Sequence, residues 1–176
     1  MKKVTFFTAD EHFAHKNILR HIEARSILFK NIDDHDNQLI NNYNSVVTNE
    51  DCVYFLGDFL PFRKEMDHIE RYISKLNGKE KHLVLGNHDI AKPFTYVDAG
   101  FTGVHTSFVI KHNNVTIVLN HDPSIQCTLK NEILFCGHIH TLFRVIKEKK
   151  IVNVGVDVNN FIPISLDDCL RMLDVI

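Results

Sequence analysis

His82-Leu83-Val84-Leu85-Gly86-Asn87-His88-Asp89 is the stretch on which the reading of the whole chain turns. Its first half is a short apolar run bounded by a lysine cluster and a glycine, which predicts a buried strand. Glycine at the strand exit permits a tight turn, so the side chains that follow can face a crevice at the strand's end. Those side chains are an amide, an imidazole and a carboxylate in succession, a set that suits a polar turn or a ligand site. The tetrapeptide alone does not decide between them. Its recurrence in other forms along the chain does.

Upstream, Val4-Thr5-Phe6-Phe7-Thr8 is β-branched and aromatic and predicts a first strand, which delivers Asp10 and His12. Side chains two apart share a face of extended chain, so both can approach one point. Val53-Tyr54-Phe55-Leu56 predicts a second strand closing on Gly57-Asp58. Helical spacing covers residues 16–24, then a longer helix that Asp33 or Asp34 can cap, carrying Leu39, Ile40, Tyr43, Val46 and Val47. A third helix covers residues 64–76 and stops at Asn77-Gly78. Strand, helices, strand, helix, strand is the order of crossover units in a partly parallel sheet, where ligands collect at the carboxyl ends of the strands.

From Val104 the texture turns to hairpins. Residues 106–110 and 115–119 predict strands joined about His112-Asn113-Asn114, and the second ends in Asn120-His121-Asp122. Residues 133–136 follow and end in Gly137-His138-Ile139-His140. Residues 142–146 and 151–156 predict a further hairpin about Lys147-Glu148-Lys149-Lys150, a solvated turn, and residues 170–175 a strand closing the second sheet.

Composition sets the bounds. The 176 residues, 24% charged and 44% apolar with net charge −2, fit one globular domain over 1–176 without a cap domain. They argue against a generally basic nucleic-acid coat protein. No apolar stretch approaches the ~20 residues of a membrane span, and the ligand-type residues begin too early for a signal peptide, so a cytoplasmic location is expected. Cys52, Cys127, Cys136 and Cys169 lie far apart and are read as small buried hydrophobes. Among the 12 histidines, His21, His35 and His68 read as surface residues and His112 as turn surface. His15, Lys16 and Arg25 lie close enough to the first acid-histidine pair to reach a phosphate, although a solvated face is the simpler reading.

Five strand exits thus carry ligand-type residues: Asp10 and His12, Asp58, Asn87 and His88, His121, then His138 and His140. The donors are oxygen and imidazole nitrogen without thiolate, which suits Mn²⁺, Fe or Zn²⁺ rather than a cysteine-type structural zinc site. Seven ligands drawn from these eight residues exceed the need of one four-coordinate ion and suffice for two, with Asp58 the natural bridging carboxylate.

In that order the blocks Asp-x-His, Gly-Asp, Gly-Asn-His-Asp, His and Gly-His-x-His resemble the calcineurin-like metallophosphoesterase family, over Asp10 to His140. Residues 153–157 and 163–167 also resemble small prokaryotic and phage members. The resemblance implies an α/β fold of two packed mixed β-sheets flanked by helices, an αββα sandwich. It implies two divalent ions, Mn²⁺ favoured with Zn²⁺, Fe or Ni²⁺ as alternatives. Asp10, His12, Asp58 and His140 would hold one; Asp58, Asn87, His121 and His138 would hold the other. His88 would stay unligated and face the phosphoryl oxygen or the leaving group. The implied activity is hydrolysis of phosphate esters, diesters favoured, by metal-activated hydroxide with His88 assisting the leaving group. The implied partner is a phosphate-ester substrate, nucleotide or nucleic acid among them, with no membrane.

The chain departs from the serine/threonine phosphatase branch, with Phe59-Leu60-Pro61-Phe62 where that branch has Asp-Arg-Gly and Asp89 where it has Glu. Asp122 stands where many relatives carry tyrosine. Two other readings compete: a protein-binding scaffold on the same fold, as a retromer subunit resembles the family without the histidine found here as His88, and a nuclease or RNA-processing phosphodiesterase.

Overall fold

A computed structural model of the chain describes residues 3–61, 65–125 and 132–176. Phe62, the Lys64 start of the third predicted helix and Cys127 lie outside the described residues.

The β-branched and aromatic runs form strands, as their composition demands. β1 (Thr5–Thr8), β2 (Cys52–Phe55), β3 (Glu80–Val84) and β4 (Gly103–His105) pair in parallel, in that order. Parallel neighbours need crossovers. These are supplied by α1 (Ile18–His21), α2 (Glu23–Leu28), α3 (Ile32–Val46), α4 (Met66–Ile73) and α5 (Pro93–Asp98). β5 (Phe108–His112) and β6 (Val115–Leu119) form the antiparallel hairpin, turning at Asn113-Asn114. β7 (Glu132–Cys136), β8 (Val145–Ile146) and β9 (Ile151–Asn153) complete the second sheet, in the order β5-β6-β7-β9-β8. β10 (Ile164–Ser165) returns to pair antiparallel with β1, giving two mixed five-stranded sheets.

Alternation of side chains along each strand builds two cores. Phe7, Leu56, Val84, Ile117, Leu119, Phe135 and Val152 are buried together between the sheets, where the Phe7 and Phe135 rings meet edge-on at 4.9 Å. The opposite face of the first sheet packs Val53, Phe55 and Leu83 against Leu39 and Tyr43 of α3, Ile69 and Ile73 of α4 and Tyr96 of α5. The result is the expected two-sheet α/β sandwich flanked by helices. No helix among the described residues is long and apolar enough to cross a membrane.

Several local expectations are corrected. The helix over residues 16–24 is two helices, broken where Ile22 adopts extended backbone, and the break turns Arg25 of α2 into the interior. Asn31, not Asp33 or Asp34, caps α3 by accepting from the Asp34 amide, which leaves both aspartates in the first turn where their charge suits the helix dipole. Residues 170–175 are not a strand. Residues 170–172 end α6 (Leu166–Met172), capped by Ser165, and 173–174 form the turn after it; Leu166, Cys169, Leu170 and Leu173 recur at helical spacing and pack on the inter-sheet core. His35 is fully buried rather than a surface residue, whereas His21 and His68 are exposed. Cys52, Cys136 and Cys169 are buried and free, as expected.

A candidate metal centre at the strand exits

Every predicted strand exit converges on one place, and the backbone bends sharply to make it so. Asp10, His12, Asp58, His138 and His140 all have positive φ, between 45° and 72°. That region is uncommon for residues other than glycine, and its use at one cluster is typical of functional sites. Two glycines allow the close approach. A Cβ on Gly86 would lie 2.2 Å from Asp58 Oδ1, and one on Gly57 would lie 2.5 Å from His121 Nδ1. Asp89 ties the two turns together: its carboxylate accepts from the amides of Asp58 at 2.7 Å, Gly86 at 2.9 Å and Phe59 at 3.1 Å.

Seven side chains picked from the sequence are linked without a gap. The Asp10 carboxylate accepts from the His138 amide at 3.0 and 3.1 Å. Asn87 Oδ1 lies 2.9 Å from His138 Nδ1 and 3.0 Å from His121 Nε2, and those two nitrogens are 3.2 Å apart. Asp58 Oδ2 stands 3.5 Å from His121 Nε2 on one side and 3.5 Å from His12 Nε2 on the other. The His12 and His140 rings stack at 5.2 Å. Asp10, His12, Asp58 and His121 are buried, His140 is half-buried, and Asn87 and His138 face the opening. His88 donates its amide to Asp58 Oδ1 at 2.9 Å, and its half-buried ring lies 5.6 Å from that of His12.

The electrostatics describe a place prepared for positive charge. His121 Nδ1 hydrogen-bonds the Leu56 carbonyl at 2.7 Å, which turns Nε2 towards Asn87 Oδ1 and Asp58. Burial disfavours the charged ring, yet Asp58 raises His121 to about 9. Burial likewise works against the Asp58 carboxylate, but His121 and His12 hold it at about 2. Burial pushes Asp10 up to about 6 and lowers His12 to about 2. Among the described residues His12 Nε2 is buried without a hydrogen-bond partner, an unusual state for a polar atom.

A divalent ion fits this donor set. Asp10, His12 and His140 offer ligand atoms within 4.8 Å of one another, as do Asp10, Asp58 and His121. Asn87 Oδ1, His121 Nε2 and His138 Nδ1 form a triangle with sides of 2.9 to 3.2 Å. Bonds of about 2.0–2.2 Å to one tetrahedral ion would separate its ligands by roughly 3.3–3.6 Å, so small side-chain adjustments suffice. Asp58 Oδ2 lies equally near a histidine of each three-residue group, the position a bridging carboxylate needs.

Behind the cluster runs a second layer that the sequence did not announce. His140 Nδ1 contacts Asp157 Oδ2 at 2.7 Å, and Arg25 grips the same carboxylate through Nε at 2.7 Å and Nη2 at 2.8 Å. Arg25 also donates to the carbonyls of Asp10 at 2.6 Å and Glu11 at 3.1 Å, and contacts His35 Nε2 at 3.1 Å. His35 Nδ1 meets Asp36 Oδ1 at 2.8 Å, and Asp36 Oδ2 accepts from Tyr72 and the Ala14 amide, each at 2.9 Å. Burial opposes the Asp157 charge, but Arg25 and His140 hold its carboxyl far below the ordinary range. Arg25 is therefore a buried structural cation, neither a solvated residue nor a phosphate contact. His15 Nδ1 lies 3.2 Å from His12 Nδ1, whereas Lys16 and Asp122 are exposed.

Fold and site together define a two-sheet α/β sandwich carrying a histidine-carboxylate cluster that can hold metal. The chain belongs to the same family as the gene 66 protein of Mycobacterium phage L5, with 31% identity over 184 residues, 87% of this chain and 86% of that protein. It is also similar to an uncharacterized protein of Methanocaldococcus jannaschii, 29% identical over 181 residues that span 99% of this chain and 93% of the relative. No protein-family model matches the chain. Among solved structures, a protein of unknown function from Aquifex aeolicus shares the fold, with a TM-score of 0.73 at 24% identity, covering 97% of this chain and 100% of that one.

Proposed function

We propose that the chain is a metal-dependent phosphoesterase with a dinuclear centre, acting on phosphodiesters in preference to monoesters. The observation that carries this reading is the convergence of Asp10, His12, Asp58, Asn87, His121, His138 and His140 from separate strand exits into one continuous cluster. Asp10, His12, Asp58 and His140 would hold one ion and Asp58, Asn87, His121 and His138 the other, with Mn²⁺ favoured by oxygen and imidazole donors without thiolate. Such ions supply Lewis-acid polarisation of a phosphoryl oxygen and make water acidic enough to act as a nucleophile near neutral pH.

The protein's own groups do the rest. Asp58 and Asp10 set the charge of the site, and the turns fastened by Asp89 hold the ligands in place before substrate arrives, which is the preorganisation electrostatic catalysis requires. His88 stands outside the ligand set with its ring beside His12, where a proton can pass from the imidazole to a departing ester oxygen. Retention of His88 supports an enzyme over a scaffold.

The test is hydrolysis of an aryl phosphodiester and the matching monoester by protein stripped of metal and then given Mn²⁺, Zn²⁺, Ni²⁺ or Mg²⁺ in turn. Metal-dependent diester turnover, abolished by Asp58→Asn, is the expected result. Metal binding without turnover of either ester would count against the enzyme reading.

A further inference from the structure

A different set of metal-ligating side chains lies at the other end of β2 and β3. Cys52, Glu80 and His82 place a thiol sulfur, a carboxylate oxygen and an imidazole nitrogen within 4.8 Å of one another. Cys52 and Glu80 open their strands as register partners, and His82, two residues further on, shares the face of Glu80. None of the three belongs to the strand-exit cluster.

The surroundings hold these groups in place. The His82 ring lies against Tyr54, stacked at 5.0 Å and 16°, and Phe108 stacks with it at 6.1 Å and 17°. That holds the plane of the imidazole. Glu80 divides its carboxylate: Oε1 pairs with Lys3 Nζ at 2.8 Å, and Oε2 lies 3.9 Å from His82 Nε2. Cys52 is buried, and its thiol is free. On the other edge of the ring, His82 Nδ1 and His105 Nε2 are both buried without a hydrogen-bond partner among the described residues. Each lies 3.1 Å from the point where a side chain on Gly103 would begin. A glycine there leaves the space into which both nitrogens point.

The geometry points to a thiolate-containing site for a divalent ion of the zinc class, built from Cys52, Glu80 and His82 and clasping the first turns of β2 and β3. The chemistry of the set is specific. One sulfur, one nitrogen and one oxygen suit a borderline-soft ion such as Zn²⁺, and three protein ligands leave a fourth position open. The Cys52 thiol, raised to about 11 by burial, keeps its proton until an ion binds, and the bound ion displaces that proton to solvent. Lys3 is the rival cation for Glu80, and its half-exposed side chain is free to swing into water.

Cobalt titration of the metal-free full chain tests this directly. A Cys52 thiolate on Co²⁺ gives a near-ultraviolet sulfur-to-metal charge-transfer band, to which the sulfur-free strand-exit cluster contributes nothing. The expected band saturates with one ion, persists in Asp58→Asn and is lost in Cys52→Ser. Glu80→Gln weakens binding at least tenfold, and Lys3→Gln tightens it. Circular dichroism establishes that each variant is folded, and Glu80→Gln with Lys3→Gln keeps the test open if Cys52→Ser is not. Absence of a sulfur band at saturating Co²⁺ overturns the site. A band that survives Cys52→Ser overturns it too, since the thiolate would then be another cysteine.

Discussion

His140 Nδ1 lies 2.7 Å from Asp157 Oδ2, and this contact fixes which nitrogen of His140 is left to face the strand-exit cluster. With Nδ1 committed as a donor to Asp157, Nε2 keeps the lone pair that a metal requires. Arg25 completes the arrangement by holding both oxygens of Asp157 while bonding the carbonyl of Asp10, so one guanidinium supports two residues of the candidate metal site.

Asp157→Asn should therefore weaken metal binding by about 10–100-fold, the usual consequence of losing a ligand's supporting carboxylate. It also strips Arg25 of its counter-charge in a buried place, which costs about 3–5 kcal/mol. Calorimetric metal titration and urea unfolding of the metal-free protein read the two effects separately. Unchanged metal affinity in a destabilised variant would limit Asp157 to a structural role.

His88→Ala should leave metal content intact, because His88 lies outside the proposed ligand set. The expected loss is about 10²–10⁴-fold in kcat, the range of general acid catalysis. The loss should be greatest for esters with poor leaving groups. Rates across a series of aryl diesters check this, and equal losses for every leaving group would argue against proton donation.

Glu11 is buried, with Oε1 bonded by the Thr8 hydroxyl and Oε2 without a hydrogen-bond partner, and burial pushes it up to about 8 from an ordinary 4.5. Between these values the unfolded chain releases the proton first, so metal-free protein loses stability as pH rises from about 4.5 to about 8. Below that window Glu11 is protonated in both states and contributes no slope. Glu11→Gln removes the titration and should stabilise metal-free protein at pH 7 by on the order of 3 kcal/mol. Urea unfolding at several pH values measures the slope. A Glu11→Gln variant that keeps the wild-type pH dependence would contradict the assignment.

Much of the candidate site is legible because its residues follow short apolar runs that end in a local turn. Asp10, Asp58, Asn87 and His138 announce themselves through their neighbours. Arg25 and His35 do not: the buried partner of Arg25 is Asp157, 132 residues away, and His35 is buried against Arg25 and Asp36. Asp157 was visible only as part of a recognisable stretch, without a role. α6 is hidden when residues 170–175 are read by themselves, because its helical period begins at Leu166. The positive φ values at five residues of the candidate site are only weakly signalled by residue type: all five are Asp or His, which tolerate that region better than most residues, but most Asp and His elsewhere do not adopt it.

Crystals soaked in Mn²⁺ and measured at the manganese absorption edge test the central claim most directly. The account predicts two anomalous peaks about 3.5–4 Å apart, the spacing usual in two-metal sites. One should lie among Asp10, His12, Asp58 and His140, and the other among Asp58, Asn87, His121 and His138. A single peak, or none at the strand exits, would contradict it.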